Sequence, residues 1–274
     1  MSVRTAFEKA RADERAALVG YLPAGFPDVA GGIDALHAMV DAGCDVIEVG
    51  LPYSDPVMDG PTIQAAAQQA LERGARTVDV LRTVEAVAAT GTPTVVMTYW
   101  NPIDRYGVAR FAADLAAAGG SGLITPDLTP DSGPDWIAAA DEHDLDKIFL
   151  VAPSSTDERI AMTVAASRGF VYATAVMGVT GARTSTSDLA GPLVARTKKA
   201  LRDLGSDLPV GVGLGVSNGD QAAEVAAKDG IGADAVIVGS AFVRVLLDHA
   251  DDRAAGLRAL TALTEDLARG VRRA

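Results

Sequence analysis

The run Val46-Ile47-Glu48-Val49-Gly50 is followed by a stiff loop, residues 51–62, and then by the stretch Ile63–Glu72. The run is short and mostly β-branched, the loop carries three prolines and a glycine, and the stretch after it has helical character. A strand, a loop and a helix in this order make one βα unit. The same order repeats along the whole chain, so the sequence predicts a single α/β domain over residues 1–274.

Eight such apolar runs are present, which predicts a closed (β/α)8 TIM barrel. The runs are nearly continuous in apolar residues, as expected when a parallel sheet is buried on both faces. The predicted strands are Leu18–Leu22, Val46–Val49, Thr94–Tyr99, Gly122–Thr125, Ile148–Val151, Val171–Ala175, Val210–Val212 and Ala235–Val238. Two additions to the repeat are expected: an extra N-terminal helix over residues 3–14, and an additional helix after the second strand, where Ile63–Glu72 and Val78–Ala89 both have helical spacing.

A doubly wound open sheet is the competing architecture. Its dinucleotide fingerprint, G-x-G-x-x-G, begins in Gly213 and Gly215 but fails at Asn218, where the third glycine would stand. The chain also has no Gly-Lys pair, which excludes a Walker-type phosphate loop. The barrel is therefore preferred.

The charge balance excludes polyanionic partners. With 24 Lys and Arg residues against 36 Asp and Glu residues, the formal charge is −12, which disfavours contact with nucleic acid and with anionic membranes. No apolar run reaches the roughly 18 residues of a membrane span, and the charged N-terminal stretch does not resemble a secretory signal. The single cysteine, Cys44, is interpreted as a small buried hydrophobe, and the protein is expected in the cytoplasm.

Residues at the C-terminal ends of barrel strands are the ones to examine for chemistry. Glu48 places an ionisable group inside the apolar second strand. A structural ion pair and a catalytic role are equally compatible with a single such residue. An apolar environment would raise the pKa of Glu48, which suits a group that both gives and takes a proton near neutral pH.

The loop after this strand carries two further carboxylates, Asp55 and Asp59. Each has a simpler interpretation as a turn or helix-capping residue, and for Asp55 that interpretation is preferred. A metal site formed by Glu48, Asp55 and Asp59 is disfavoured, because no histidine lies near them and the sequence therefore predicts no metal. The histidines fall in helical stretches: His37, His143 and His249.

The last two strands end in glycine-rich segments, residues 211–217 and 238–241. Glycines let backbone N–H groups approach an anion, and the loops after strands seven and eight are where this fold commonly binds phosphate. The sequence therefore predicts a phosphate site there. A Gly/Ser/Thr-rich segment after the sixth strand, residues 176–187, has the composition of a mobile lid, or of an ordinary surface loop.

The stretch from Glu48 to Gln64 resembles the signature of one family, the α subunit of tryptophan synthase. It reads EVGLPYSDPVMDGPTIQ and is similar to the family pattern E-x-G-[VIL]-P-[FY]-S-D-P-x-x-D-G-P-x-I-Q. The resemblance covers nearly the whole chain. Supporting segments are Met97-Thr98-Tyr99-Trp100-Asn101-Pro102, Pro126-Asp127-Leu128, Gly178-Val179-Thr180-Gly181 and Gly239-Ser240-Ala241.

The resemblance implies a retro-aldol cleavage of indole-3-glycerol phosphate to indole and glyceraldehyde 3-phosphate. Glu48 would be the general acid/base, and Asp59 would accept a hydrogen bond from the indole N–H and stabilise positive charge there. Thr180 would close the lid by bonding to Asp59. The resemblance further implies a phosphate site at Gly181, Gly215, Gly239 and Ser240, and a substrate pocket lined by Tyr21, Met97, Tyr172 and Leu214.

The resemblance also implies a partner, the β subunit of tryptophan synthase, in an α2β2 assembly. Pyridoxal phosphate would belong to that partner, and this chain would carry no cofactor of its own. Three segments are candidates for the contact, all interpreted as loops: Ser54–Met58, Pro102–Gly107 and Pro126–Pro134. Ala175 and Val176 depart from the Ser and Arg of many members, which places the closing contacts of the lid in question.

Three other functions remain compatible with the residues. The chain could be a standalone lyase that releases indole, another phosphosugar-handling barrel enzyme, or a non-catalytic regulatory cap. The presence of both Glu48 and Asp59 argues against the cap.

Overall fold

The computed structural model describes residues 2–174, 187–227 and 229–273. Within these residues, nine parallel strands form one sheet. They are β1 (Ala17–Pro23), β2 (Val46–Gly50), β3 (Thr94–Met97), β4 (Gly122–Ile124), β5 (Asp146–Ile148), β6 (Leu150–Val151), β7 (Val171–Thr174), β8 (Val210–Gly213) and β9 (Ala235–Val238).

The sheet closes into a barrel at Phe149. The strand order is β5-β4-β3-β2-β1-β9-β8-β7-β6, so the two ends of the sheet are β5 and β6. Only Phe149 separates these two short strands in the chain, so together they fill one barrel position. The predicted (β/α)8 barrel is confirmed, and the predicted strand Ile148–Val151 is an interrupted strand that begins two residues earlier.

Twelve α-helices surround the strands in the described residues. They are α1 (Val3–Ala12), α2 (Val29–Asp41), α3 (Pro61–Glu72), α4 (Thr77–Ala88), α5 (Trp100–Tyr106), α6 (Val108–Ala117), α7 (Pro134–Glu142), α8 (Asp157–Ala166), α9 (Ser187–Asp203), α10 (Gly219–Ala226), α11 (Ser240–Asp248) and α12 (Arg253–Val271). The extra N-terminal helix predicted from the sequence is α1. The additional helix after the second strand is also present, since both α3 and α4 lie between β2 and β3.

Side-chain caps explain several helix starts, since each capping oxygen accepts a hydrogen bond from a free backbone N–H of the first turn. These caps are Ser2, Asp28, Thr156, Asn218 and Asp252.

One predicted loop is wrong. Residues 102–106 of the segment Pro102–Gly107 lie in helix α5, which ends at Tyr106 with Gly107 as its C-cap. Pro102 is compatible with a helix because it falls in the first turn, where its missing N–H has no intrahelical partner to lose. The segment Pro126–Pro134 has no α-helix before its last residue, but it contains a short 3₁₀ turn, Pro130–Ser132.

Side chains along each strand point alternately to the two faces of the sheet, so the protein has two separate hydrophobic cores. On β2, Ile47 and Val49 face outward into a large cluster between sheet and helices, whereas Val46 belongs to a smaller cluster inside the barrel. Glu48, two residues after Val46, therefore points inward as well. The barrel interior thus changes from aliphatic near the N-terminal ends of the strands to polar near their C-terminal ends.

Helix α1 covers the N-terminal end of the barrel. Its apolar face joins the interior cluster, and the ring of Phe7 lies 5.5 Å from the ring of Phe170 on the segment leading into β7. The buried carboxylate of Asp146 accepts hydrogen bonds from the Val3 N–H at 2.9 Å and from Arg168 Nε at 3.0 Å. These contacts fix the start of the helix to the barrel floor.

Among the described helices, none is both long enough and apolar enough to cross a bilayer.

Candidate active site

A cavity of about 150 Å³ opens at the C-terminal ends of the strands. Every barrel position contributes to its wall through a strand or the segment that follows it. The structure brings together eight of the residues predicted from sequence: Tyr21, Glu48, Asp59, Met97, Tyr172, Gly215, Gly239 and Ser240.

Three predicted residues stand apart from this group. Leu214 does not line the cavity. It packs instead against the outer core, while its neighbours Gly213 and Gly215 face the cavity. Thr180 and Gly181 lie outside the described residues, as do Ala175 and Val176.

Glu48 is buried in the cavity wall and has no hydrogen-bond partner in the part of the chain that the structure describes. Its side chain is 1 % exposed, and no described group hydrogen-bonds to its Oε1 atom. Burial without compensating donors raises the pKa of Glu48 to about 8. No ion pair to Glu48 is present among the described residues, and its carboxyl group faces the cavity.

Asp59 approaches the cavity from the loop after β2. Its backbone carbonyl accepts a hydrogen bond of 2.7 Å from Gln64 Nε2 on α3, which ties the loop to the helix. Burial raises the pKa of its carboxyl group, and a hydrogen bond from the Tyr99 hydroxyl acts in the opposite direction. The two cavity carboxyl groups therefore differ, because Asp59 has a hydrogen-bond donor and Glu48 has none among the residues that the structure describes.

Tyr99, which sequence reasoning did not single out, organises this loop. Its hydroxyl accepts a hydrogen bond of 2.9 Å from the Met58 N–H and also bonds to the Asp59 carboxylate. The Tyr99 ring packs against Tyr53 at 5.4 Å between centroids, and Tyr53 accepts a hydrogen bond of 3.1 Å from Asn101. The sequence analysis placed Tyr99 at the end of a predicted strand and within a segment that resembles the family, but it gave Tyr99 no role.

Two tyrosines lie against glycines of neighbouring strands. A Cβ atom at Gly213 would be 2.5 Å from the Tyr172 hydroxyl, and one at Gly50 would overlap the Tyr21 hydroxyl. These strand glycines make room for aromatic side chains inside the barrel. Burial, and then the charge of Glu48, raise the pKa of the Tyr172 phenol well above its usual value.

The part of the cavity wall that follows strands β8 and β9 has the features of an anion site. Gly239 precedes α11, Ser240 is the first residue of that helix, and no acidic residue occupies its first turn. Gly215 adopts a φ of 72°, a conformation that favours glycine, and nothing described would contact a Cβ atom there. Free backbone N–H groups and the partial positive charge of the helix start favour a phosphate at this place.

The other groups considered in the sequence analysis, Cys44 and Asp55, have environments that require no ligand. Cys44 is buried, and burial raises the pKa of its thiol. Asp55 is exposed and accepts a hydrogen bond of 2.5 Å from Ser54. Within the described residues, no three or more His, Cys, Asp or Glu side chains are placed to hold a metal ion.

The sequence from residue 7 to residue 272 matches the family model described as "Tryptophan synthase alpha chain". The chain belongs to this family. It is 61 % identical over 272 residues to the tryptophan synthase alpha chain of Acidothermus cellulolyticus, covering 99 % of this chain and 97 % of the relative. The alpha chain of Salinispora arenicola is 62 % identical over 270 residues, with 98 % and 97 % covered.

A solved structure of tryptophan synthase from Mycobacterium tuberculosis has the same fold. It superposes with a TM-score of 0.89 at 56 % identity and covers 98 % of both chains. Membership in the family makes this chain a lyase of tryptophan biosynthesis, the component that carries out the alpha reaction.

Proposed function

We propose that the chain cleaves indole-3-glycerol phosphate to indole and glyceraldehyde 3-phosphate, with Glu48 as the general acid/base. The observation that carries this proposal is the buried carboxyl group of Glu48 in the cavity wall, to which no residue within 2–174, 187–227 or 229–273 donates a hydrogen bond. A protonated acid at neutral pH is what the first step of such a cleavage requires.

A single carboxyl group can carry out both proton transfers of the reaction. Glu48 donates its proton to indole C3, and the bond from C3 to the glycerol carbon then breaks. The hydroxyl on that carbon loses its proton to the Glu48 carboxylate and becomes the aldehyde. Glu48 thus returns to its protonated form, which is consistent with a pKa of about 8.

Asp59 stabilises the intermediate of this reaction. Protonation at C3 places positive charge on the indole ring, and the N–H group is where a carboxylate can offset it. Asp59 fits this role because it faces the cavity and receives a hydrogen bond from Tyr99, which favours its ionised form. In the full site, Thr180 would add a further donor to Asp59.

The two ends of the substrate are assigned to two different sets of lining residues. Tyr21 and Met97 flank the indole, and Tyr172 shapes the region between the ring and the glycerol chain. The phosphate is assigned to Gly215 after β8 and to Gly239 and Ser240 at the start of α11, together with Gly181, which the resemblance implies.

We place the β subunit of tryptophan synthase, with its pyridoxal phosphate, at the mouth of this cavity in an α2β2 assembly. The candidate contact segments are Ser54–Met58, the helix α5 and Pro126–Pro134. Val57, in the first of them, is 71 % exposed, which is unusual for a large aliphatic side chain and suits an interface.

The first test is indole release from indole-3-glycerol phosphate by the purified chain. Glu48→Gln should lower kcat by about a thousandfold or more, since it removes the transferred proton, while glycerol 3-phosphate binding is retained. The matched control is Glu85→Gln on α4, where an exposed carboxylate is lost far from the cavity. Substantial turnover in Glu48→Gln would refute the assignment of Glu48.

The second test compares indole release with and without the β subunit. A higher rate in the complex supports coupling between the subunits. Equal rates would favour the standalone lyase instead.

A further inference from the structure

The loop that carries Asp59 is tied to the start of helix α5. The Met58 N–H donates a hydrogen bond of 2.9 Å to the Tyr99 hydroxyl, and the Tyr53 hydroxyl accepts one of 3.1 Å from Asn101 Nδ2. The Tyr99 hydroxyl also bonds to the Asp59 carboxylate. Tyr99 and Asn101 lie on either side of the first residue of α5, so the position of the Asp59 carboxylate depends on where this helix begins.

The start of α5 is capped from a distant part of the chain. Tyr99 is the N-cap residue, but its side chain makes no capping hydrogen bond and is directed to the loop instead. The first N–H of a helix has no partner within the helix. Asp127, in the segment after β4, supplies that partner: its two carboxylate oxygens accept hydrogen bonds of 2.9 and 3.1 Å from the Trp100 N–H.

The backbone of Tyr99 is therefore held on both sides by the end of β4. Before it, the Thr98 N–H donates a hydrogen bond of 3.1 Å to the Ile124 carbonyl, which belongs to the barrel wall. After it, Asp127 holds the Trp100 N–H. Asp127 is exposed, so this second anchor can be removed without opening the core.

We propose that Asp127 is a positioning residue for the cleavage reaction, fixing the start of α5 so that Tyr99 holds Asp59 in place. Asp127 is not among the described residues that line the cavity, so it acts through Tyr99 and not on the substrate. This inference rests on the proposed function, because it concerns the position of Asp59 during that reaction. A displacement of about 1 Å at a reacting site can lower the rate by about a hundredfold.

The test is indole release by the purified full-length chain with Asp127→Ala. We expect kcat to fall about tenfold or more, while the Kd of glycerol 3-phosphate stays at its wild-type value because the phosphate is assigned to residues after other strands. Asp127→Asn keeps an acceptor for the Trp100 N–H and should retain most of kcat. Asp135→Ala is the matched control, since it removes an exposed carboxylate from the first turn of α7 and should leave kcat unchanged.

A double variant tests whether Asp127 acts through Tyr99. Tyr99→Phe removes the hydroxyl that holds the loop, so adding Asp127→Ala to it should lower kcat little further. Losses of kcat that multiply in the double variant overturn the inference, because they show that the two residues act independently. Circular dichroism checks that each variant is folded.

The outcomes separate this inference from the proposed function. A wild-type chain that releases no indole overturns the proposed function. An active wild type with unchanged kcat in Asp127→Ala overturns the role of Asp127 and leaves the proposed function standing. An equal loss of kcat in Asp135→Ala has the same meaning, since it would show a general effect of lost surface charge.

Discussion

Glu48 occupies an inward position on β2 that would otherwise extend the aliphatic interior above Val46. Removing an ionised carboxyl group from water without donors is costly, and the chain avoids much of that cost by keeping Glu48 protonated. The same burial that prepares the residue for proton transfer therefore makes the folded state sensitive to pH.

Glu48→Gln should consequently change how stability depends on pH. Between the usual pKa of 4.5 and the folded-state pKa of about 8, the folded chain holds a proton that the unfolded chain has released. The free energy of unfolding therefore falls through this window as pH rises, by at most about 5 kcal/mol at 1.36 kcal/mol per pKa unit. Glutamine does not titrate, so the variant should gain stability relative to wild type from pH 5 to pH 9.

Chemical denaturation at pH 5, 7 and 9 measures this difference. The Glu85→Gln variant is denatured in parallel, because it removes one negative charge from an exposed position. If wild type and Glu48→Gln lose stability in parallel as pH rises, then Glu48 does not carry a raised pKa in the folded state.

At the scale of elements, the starts of helices α5 and α11 serve different purposes. The first N–H of α5, on Trp100, donates to the Asp127 carboxylate at 2.9 and 3.1 Å. This cap comes from a loop 27 residues further along the chain, which is why no local sequence pattern indicated the helix. The start of α11 at Ser240 receives no side-chain cap from the described residues, which makes its first N–H groups candidates for binding a ligand.

Ser240→Asp should therefore leave the stability of α11 intact while weakening the binding of phosphate. A carboxylate near a helix start stabilises the helix by about 0.3–1 kcal/mol, so the free variant should be at least as stable as wild type. The same charge repels a bound phosphate. Glycerol 3-phosphate at about 100 times its Kd should stabilise wild type by about 2.7 kcal/mol and Ser240→Asp by little.

Thermal denaturation with and without glycerol 3-phosphate provides the measurement. Ser240→Ala is the control, since it retains the backbone N–H groups and adds no charge. An undiminished ligand-induced shift in Ser240→Asp would place the phosphate somewhere other than the start of α11.

At the scale of the whole molecule, sequence periodicity was sufficient to predict the barrel but not the arrangement of residues in its cavity. The strand runs were visible because buried parallel strands are continuously apolar, and each observed strand lies within two or three residues of its prediction at both ends. The interruption of the fifth strand at Phe149 could not be predicted, because Phe149 lies within a continuous apolar run. The pairing of Tyr21 with Gly50, and of Tyr172 with Gly213, joins residues far apart in the chain, so these glycines could equally have indicated turns or phosphate contacts.

The two ends of the barrel have different roles: one end carries the active site, and the other contributes to stability. The polar cavity is at the C-terminal end, and the other end is sealed by α1 through Phe7, which is 4 % exposed and packs on Phe170. Phe7→Ala should open a cavity in the barrel floor and destabilise the chain by about 3–5 kcal/mol. Because the barrel wall between the ends is closely packed, kcat for indole release at 25 °C should remain close to wild type while the chain is folded.

Urea denaturation followed by circular dichroism, together with kcat measured in the absence of urea, tests this division. Glu8→Ala on the exposed face of α1 is the matched control, since it removes only a surface pair with Arg4 and should cost less than about 0.5 kcal/mol. A large fall in kcat for folded Phe7→Ala would mean that packing at the barrel floor positions Glu48 through the interior stack of Phe7, Phe170 and Tyr172. In that case the helix that seals the barrel would also belong to the catalytic apparatus.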